Sequence, residues 1–326
     1  MKYFFIMNPG SKSGKSKKLF QKIFRLLEEK KLNYYYEITA NLSDAYTISE
    51  KANKSGYDII VAVGGDGTIN QVINGFYDEG GRRISKAKMG VIYTGTSPDF
   101  CKSYGIPLKI EEEINLIISG GNVNKIRPGR ITMARSYIKD LENKSIDILI
   151  GYETRYFACC ANIGLGAAVA RTANSGIRGI FGDHIGTFLA LIKTLLFYKP
   201  VDMRLSFDGA LQIMPRVHNI SIGKTYYIAS GIKVRSNIKA EDNRLYCLVI
   251  KKLTLLKLFD VIKSIYSGKT INNGEIISLN YCETVDIYGN NLNNEIEFDG
   301  DPVGFLPCRI TSAADTLDLI CEGSYE

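Results

Sequence analysis

Apolar residues in the first third of the chain alternate between short continuous runs and runs at helical spacing. Residues 58–63 are nearly all apolar and mostly β-branched, which is typical of a strand buried on both faces of a parallel sheet. Runs at 3–7, 33–39 and 89–93 predict three more strands. Between them, apolar residues recur three and four positions apart, as at 69–76, which predicts helices with one buried face. This alternation predicts an open, mostly parallel sheet flanked by helices.

After about residue 125 the pattern changes to short strand-like runs in series. Only two helical patterns, at 185–198 and 255–266, interrupt them. Strands in series with few helices indicate an antiparallel β-sandwich. The sequence therefore predicts two domains, residues 1–126 and 127–326, with the final residues packing back on the first. The strand-like runs are 146–150, 156–162, 203–207, 217–222, 245–250 and 284–288.

The composition is that of an ordinary globular protein. The 326 residues are 45% hydrophobic and 23% charged, which excludes a disordered or fibrous chain. Lys and Arg (41) outnumber Asp and Glu (34), so the formal net charge is +7. This balance favours anionic partners but is too weak to indicate a nucleic-acid-binding protein.

The apolar runs and the cysteines indicate a cytoplasmic protein. The first run is too short for a signal peptide, and no later stretch reaches the roughly 20 apolar residues of a membrane-spanning helix. The seven cysteines are scattered and form no Cys-x-x-Cys pair. With two histidines in the chain, they disfavour a zinc site and indicate reduced thiols.

A glycine-rich segment, Gly-Gly-Asp-Gly-Thr at 64–68, connects the strand at 58–63 to the helix at 69–76. Glycines let the main chain turn sharply and bring N–H groups close to phosphate oxygens, and the following helix adds the positive end of its dipole. Asp66 would repel phosphate unless Mg²⁺ or a ribose hydroxyl accepts it, and Thr68 adds a hydroxyl. A plain strand-to-helix connection rarely needs three glycines and an acid. The segment therefore predicts a phosphate-binding loop.

Two more loops follow strands of the same predicted sheet. Residues 10–16, Gly-Ser-Lys-Ser-Gly-Lys-Ser, have three residues between their glycines instead of the four of a Walker A motif, so that motif is excluded. The segment either lines a nucleotide pocket at the strand ends or is a solvated basic turn. Residues 94–100 follow the next strand, and by connectivity they should reach the same edge of the sheet.

Two carboxylates lie close together near the end of the chain, in Phe-Asp-Gly-Asp-Pro at 298–302. In an extended strand Asp299 and Asp301 share a face, and they could divide the work of binding a metal and accepting a proton. The alternative is an Asp-Gly turn between two strands. The residues alone leave both interpretations open.

Together these loops resemble the diacylglycerol kinase catalytic domain. More narrowly, the chain resembles the soluble bacterial lipid kinases of the diacylglycerol and sphingosine kinase superfamily, which have an NAD-kinase-like fold. The likeness rests on residues 8–14, 64–70, 95–107 and 299–300, in that order, and it spans essentially the whole chain, more loosely in the second domain. The glycine-rich loop alone is shared with NAD kinases and 6-phosphofructokinases, so the other three motifs make the match specific.

The resemblance implies a Rossmann-like α/β domain that binds ATP, a β-sandwich domain that binds lipid, and ATP in the cleft between them. It implies transfer of the γ-phosphoryl group of Mg·ATP to a lipid hydroxyl, with diacylglycerol giving phosphatidic acid as the first expectation. The positions that match the family's nucleotide site are Asn8, Gly10, Ser11, Thr39, Gly64, Gly65, Asp66, Gly67, Thr68, Ile69, Asn70 and Thr96.

The resemblance also assigns a catalytic pair and a structural metal. The family's late motif is Asp-Gly-Glu, and the matching carboxylates here are Asp299 and Asp301. Asp301 is one methylene shorter than glutamate, so either residue could be the base. A structural Mg²⁺ site of the family matches Lys239, Asp242 and Arg244.

A lipid acceptor implies peripheral contact with a membrane surface, on the inner face of the plasma membrane. The apolar residues of 185–198 either form a lip that touches lipid or belong to an ordinary packed helix. Basic residues beside them predict salt-sensitive binding to anionic vesicles. A homodimer is compatible with the resemblance.

The chain departs from the family pattern at several positions. Pro98 stands where asparagine is usual, Asp301 replaces glutamate, and residues 127–130, Arg-Pro-Gly-Arg, lack the usual acid. The alternatives are therefore a kinase for a sphingoid base or ceramide, an NAD kinase, and a non-catalytic homologue that binds lipid or nucleotide.

Overall fold

The computed structural model describes residues 1–11, 14, 16–135, 137–139, 147–149, 151–172, 183–228, 232–234, 236–252, 254, 257, 276–289, 295–298 and 301–323. The strands are β1 (Tyr3–Met7), β2 (Tyr34–Ile38), β3 (Ile59–Gly64), β4 (Lys88–Tyr93), β5 (Asn122–Ile126), β6 (Gly129–Ala134), β7 (Tyr137–Lys139), β8 (Asp147–Leu149), β9 (Tyr152–Phe157), β10 (Cys160–Gly164), β11 (Val201–Phe207), β12 (Ala210–Gly223), β13 (Tyr227–Ile228), β14 (Ile232–Lys233), β15 (Leu245–Lys251), β16 (Ile277–Cys282), β17 (Val285–Ile287), β18 (Glu295–Phe298), β19 (Asp301–Ser312) and β20 (Leu317–Cys321). The helices are α1 (Lys17–Glu29), α2 (Asp44–Lys54), α3 (Asp66–Asn74), α4 (Asp99–Ser103), α5 (Ile110–Ser119), α6 (Leu165–Thr172) and α7 (Asp183–Phe197).

The first sheet contains six of the described strands in the order β2-β1-β3-β4-β20-β5. Neighbouring strands from β2 to β20 are parallel, and β5 lies antiparallel to β20. The mostly parallel sheet that the sequence predicts is thus confirmed. β20 brings residues from near the end of the chain into this sheet, between β4 and β5.

Alternate residues of β3 are buried on opposite faces of the first sheet. Ile59, Val61 and Val63 pack in one apolar cluster with residues of α1 and α5. Ile60 and Ala62 pack in another with residues of α2 and α3. Because helices cover both faces, β3 has no polar face, which accounts for its continuous apolar run.

The second sheet contains ten of the described strands, and all its pairs are antiparallel. The pairing closes into a ring, β10-β18-β19-β17-β11-β12, because β12 also pairs with β10. The long strands β12 and β19 change neighbours along their length, so the sheet curls around one apolar core. The predicted antiparallel β-rich part after the α/β sheet is confirmed.

Helix α3 ties the first sheet to the second. The Asn74 side chain donates to the carbonyl of Tyr156 (2.7 Å) and accepts from its N–H (2.9 Å). One helical turn earlier, Asn70 Oδ1 accepts from the N–H of Ala158 at 3.0 Å. The rings of Tyr77 and Tyr156 stack beside these bonds, 4.8 Å apart. The segment between β9 and β10 is therefore fixed against the helix that follows the glycine-rich loop.

Helix α7 coincides with the predicted helical pattern at 185–198. Ala190 and Leu195 are buried in an apolar cluster with α6, whereas Leu196 and Phe197 are 57% and 80% exposed. Nearly all of the other pattern, 255–266, lies outside the described residues. Among the helices described, none has the length and apolar character needed to cross a membrane.

Candidate active site

The glycine-rich loop passes directly from β3 into α3. β3 ends at Gly64, Gly65 adopts extended backbone, and the helix begins at Asp66. The first N–H groups of a helix have no partner within it and lie at the positive end of its dipole. The predicted loop therefore places main-chain donors at the carboxyl end of the parallel sheet.

The loops after β3 and β4 are in main-chain contact. A Cβ added to Gly95 would lie 2.6 Å from Gly65 Cα, and one added to Gly64 would lie 2.3 Å from Thr68 Oγ1. Neither position has space for a side chain, so glycine is required by close approach. The result is an edge lined by main chain, with Thr96 in the second of the two loops.

The loop after β1 is bonded to both of its neighbours. Asn8 Nδ2 donates to Thr68 Oγ1 at 2.8 Å, while Asn8 Oδ1 accepts from the N–H of Gly10 at 2.9 Å. Ser11 Oγ donates to the carbonyl of Thr94 at 3.4 Å. Thr39, just after β2, is buried, and its N–H bonds to the last residue of β1. The structure thus brings the four predicted strand-end segments to one edge.

Two carboxylates lie near enough to interact electrostatically at this edge. Asp66 begins α3, and Asp99 begins α4 and is buried. Burial and the neighbouring Asp99 raise the pKa of Asp66 to about 7, against the lowering effect of main-chain N–H groups and of Lys102. Asp99 is a site residue that sequence reasoning did not select. Its position in the loop after β4 was the available signal.

The late carboxylates are only partly described. Asp299 lies outside the described residues, and Asp301 opens β19 with its main chain paired to Phe298 of β18. β18 and β19 therefore flank residues 299 and 300, and the catalytic pair at Asp299 and Asp301 stays a prediction. Phe298 also pairs with Ala161 of β10, a few residues from the Ala158 that Asn70 holds. This register brings the end of β18 towards α3.

Two of the three residues assigned to a structural metal bind a lysine through their main-chain carbonyls instead. Lys224 Nζ donates to the carbonyls of Asp242 and Arg244, the latter at 2.9 Å. The Asp242 carboxylate pairs with the Arg244 guanidinium at 2.8 Å, and the Lys239 carbonyl accepts from the N–H of Asp242. Burial lowers the pKa of Lys224 to about 7, and Asp242 counteracts part of that effect. With the Lys224 ammonium group bonded to these carbonyls, the site does not fit a bound Mg²⁺.

Two known sequence families match most of the chain. The family described as "Diacylglycerol kinase catalytic domain" matches residues 2–131. The family described as "YegS C-terminal NAD kinase beta sandwich-like domain" matches residues 160–321. The chain belongs to the diacylglycerol kinase catalytic-domain family. This assignment confirms the enzyme class predicted from the motifs, a lipid kinase that transfers a phosphoryl group to an alcohol.

Members of the family from Staphylococcus align with nearly the full chain. A diacylglycerol kinase of Staphylococcus epidermidis is 24% identical over 323 residues, covering 96% of this chain and 90% of the relative. One from Staphylococcus aureus is 24% identical over 286 residues, covering 86% and 80%. A crystal structure of a diacylglycerol kinase from Bacillus anthracis matches with a TM-score of 0.67 at 18% identity, covering 98% of this chain and 96% of that one. The last match supports the fold.

Proposed function

We propose that this family member transfers the γ-phosphoryl group of ATP to a lipid hydroxyl and that its acceptor is diacylglycerol. The observation that carries the proposal is the edge where the loops after β1, β3 and β4 meet. That edge has no side chain at Gly64, Gly65 or Gly95, and it lies at the N-terminus of α3. A triphosphate fits such a main-chain surface, because N–H groups and the helix dipole both favour phosphate.

The nucleotide would lie across the first sheet's carboxyl edge. Main-chain N–H groups of 64–68 would bind phosphate oxygens. The Asn8–Thr68 hydrogen bond would keep this loop attached to the loop after β1. The Asn70 side chain is already engaged, because its Oδ1 accepts a hydrogen bond from the N–H of Ala158. We assign Asn70 to keeping the β9–β10 segment against the phosphate loop.

Mg²⁺ fits the paired carboxylates of Asp66 and Asp99. Carboxylate and phosphate oxygens are the ligands Mg²⁺ prefers, and two neighbouring acids with a pKa raised in one of them favour a divalent cation between them. When bound with the nucleotide, Mg²⁺ would neutralise negative charge on the phosphates. Asp66 and Asp99 would hold it and keep it near the N-terminus of α3.

The proton of the acceptor hydroxyl would pass to Asp301 or Asp299. As the hydroxyl oxygen forms its bond to the γ-phosphorus, the bond to the β–γ bridging oxygen breaks and ADP leaves. A carboxylate at the start of β19 would take the hydroxyl proton, which contributes about 10²–10⁴-fold in general base catalysis. Positioning of the two substrates supplies most of the remaining rate.

The acceptor would be reached at a membrane surface through helix α7. Leu189, Lys193, Leu196 and Phe197 recur at helical spacing, and all four are exposed. An exposed apolar stripe with basic residues beside it favours the interface of an anionic membrane. This arrangement supports a peripheral, salt-sensitive contact.

The proposal is tested by a radiolabel transfer screen with [γ-³²P]ATP and Mg²⁺. The acceptors are diacylglycerol, a sphingoid base, ceramide and NAD, each with and without anionic vesicles. We expect label on diacylglycerol, and loss of that label in whichever of Asp301→Asn and Asp299→Asn removes the base. Transfer to another acceptor would replace diacylglycerol in the proposal. ATP binding by calorimetry with no transfer to any acceptor would favour a non-catalytic homologue.

A further inference from the structure

Lys224 is a buried lysine at the end of β12. Lys224 is 3% exposed, and its main-chain N–H donates to the carbonyl of Cys159 at 3.2 Å. A lysine is rarely buried this completely without partners for its ammonium group. The surroundings of Nζ therefore determine what the residue does.

Three oxygens surround Lys224 Nζ. They are the carbonyls of Asp242 and Arg244, the latter at 2.9 Å, and Ser312 Oγ at 3.0 Å. An ammonium group has three N–H donors, so each donor has an acceptor. In the described part of the chain its contacts are carbonyl and hydroxyl oxygens, and the carboxylate of Asp242 is paired with Arg244 instead.

These oxygens come from two segments far apart in sequence. The carbonyls belong to the segment 239–244, and Ser312 ends β19. Ser312 Oγ in turn donates to the carbonyl of Asn243 at 2.8 Å. The ammonium therefore fixes the 239–244 segment to β19 and to the end of β12, as a multivalent cation with oxygen ligands would.

A second cationic side chain, that of Arg127, also bonds to this segment. Arg127 Nε donates to the carbonyl of Glu241 at 3.0 Å, and its main-chain N–H donates to the carbonyl of Ala240 at 2.8 Å. Its Nη1 donates to the carbonyl of Ala313 at 2.8 Å. Arg127 stands in the stretch where the family pattern has an acid. A cationic side chain in that stretch works against binding of a metal ion nearby.

We propose that Lys224 replaces the structural Mg²⁺ that the family resemblance assigns to Lys239, Asp242 and Arg244. Its ammonium group donates hydrogen bonds to the carbonyl oxygens of Asp242 and Arg244, in the place of the metal ion. The 239–244 segment of this chain is therefore held without a divalent cation. This inference concerns stability and does not depend on the identity of the acceptor lipid.

The first test compares thermal unfolding of Asp66→Asn, without nucleotide, in EDTA and in millimolar Mg²⁺. This variant lacks one of the two carboxylates proposed above to hold Mg²⁺ beside the nucleotide. We expect its Tm to be the same in both solutions, because Lys224 already bonds to the carbonyls of Asp242 and Arg244. A Tm that rises in Mg²⁺ and falls in EDTA would overturn the proposal. This measurement keeps Lys224, so it stands even if Lys224 variants fail to fold.

The second test removes the ammonium. Lys224→Met keeps the aliphatic chain and leaves the carbonyls without donors, so its Tm in EDTA should fall by several degrees. Lys125→Met, at an exposed lysine of β5, is the matched control and should keep the wild-type Tm. A Lys224→Met protein as stable as the wild type would overturn the proposal.

The third test asks whether the oxygens form a cation site. Lys224→Ala removes the ammonium and leaves space beside the carbonyls of Asp242 and Arg244. In the Asp66→Asn background, Mg²⁺ should then raise the Tm when Lys224→Ala is added, although it leaves the Tm of Asp66→Asn alone unchanged. A Tm of this double variant that Mg²⁺ does not change would show that these oxygens bind no divalent cation, and the replacement would be rejected.

Discussion

Asn8 Nδ2 lies 2.8 Å from Thr68 Oγ1, and this hydrogen bond joins the loop after β1 to the first turn of α3. Both side chains are buried, with exposures of 9% and 2%. Thr68 also lies against Gly64, where a Cβ would meet its Oγ1. One hydroxyl therefore links two strand ends and sets the shape of the phosphate loop.

The first prediction concerns this bond. Asn8→Ala removes the donor and should weaken ATP binding about tenfold, which corresponds to about 1.4 kcal/mol. Calorimetric titration with Mg·ATP measures the change, and Asn33→Ala, at an exposed asparagine before β2, is the control. In a cycle with Thr68→Val the losses should not add, because each variant breaks the same bond. Additive losses would show that the two side chains act separately.

The second prediction concerns the contact between the two glycine loops. Gly95→Ala would place a Cβ 2.6 Å from Gly65 Cα, and main chain cannot rotate away as a side chain can. We expect ATP affinity to fall at least about tenfold, a loss of roughly 1.4 kcal/mol. Gly323→Ala, which meets open space, should bind ATP normally. Wild-type affinity in Gly95→Ala would mean that the nucleotide lies elsewhere.

The third prediction separates binding from proton transfer. Asp301→Asn and Asp299→Asn should leave the Kd for Mg·ATP unchanged, and the variant that removes the base should lower kcat by about 10²–10⁴-fold. Asp208→Asn, in the exposed turn between β11 and β12, keeps its acceptor oxygen for two main-chain N–H groups and serves as control. If both variants retain wild-type turnover on the true acceptor, neither carboxylate is the base.

The fourth prediction concerns membrane contact. Replacing Leu196 and Phe197 of α7 by serine should reduce binding to phosphatidylserine vesicles in a sedimentation assay, because it removes exposed apolar surface. Raising the salt concentration should weaken wild-type binding, since each basic residue near the surface contributes about 1 kcal/mol. The control replaces Leu211 and Ile213 of β12, which are 54% and 68% exposed. Equal losses in the two double variants would indicate no specific role for α7.

The fifth prediction concerns pH. Glu113 of α5 is fully buried and accepts from the N–H of Tyr93 at 2.7 Å. Burial raises its pKa from 4.5 to about 8. Between these two values the folded protein binds more protons at Glu113 than the unfolded chain does. The contribution of this protonation to the free energy of unfolding is therefore complete below pH 4.5 and is lost as the pH rises through about 8.

Glu113→Gln removes this titration and keeps an acceptor oxygen for Tyr93. The wild type should therefore lose stability relative to Glu113→Gln as the pH rises from about 4 to about 9, a range that includes both pKa values. Urea unfolding of both proteins across this range measures the difference in free energy of unfolding. Parallel pH profiles would contradict the raised pKa.

The parallel sheet could be predicted because its signal is local. β3 is apolar at every position since both of its faces are covered, and a glycine-rich segment follows it directly. The meeting of the strand-end loops also follows from connectivity, because parallel strands end at the same edge. Asp99 was missed because its pairing with Asp66 depends on where α4 begins.

Other features depend on contacts between distant segments. Lys224 follows a strand, as many surface lysines do, and its burial requires the 239–244 segment and Ser312 to close over it. Helix α7 satisfies both interpretations of its sequence, since Ala190 and Leu195 are buried while Leu196 and Phe197 are exposed. Periodicity alone cannot separate a covered face from an open one.

The position of β20 has a consequence for biosynthesis. Because this strand lies between β4 and β5, a chain emerging from the ribosome leaves the edge of β4 without its final neighbour until residues 317–321 have been made. An open strand edge invites pairing with other chains. The nascent chain therefore exposes this strand edge from the synthesis of residue 93 until that of residues 317–321, and the addition of β20 ends the exposure.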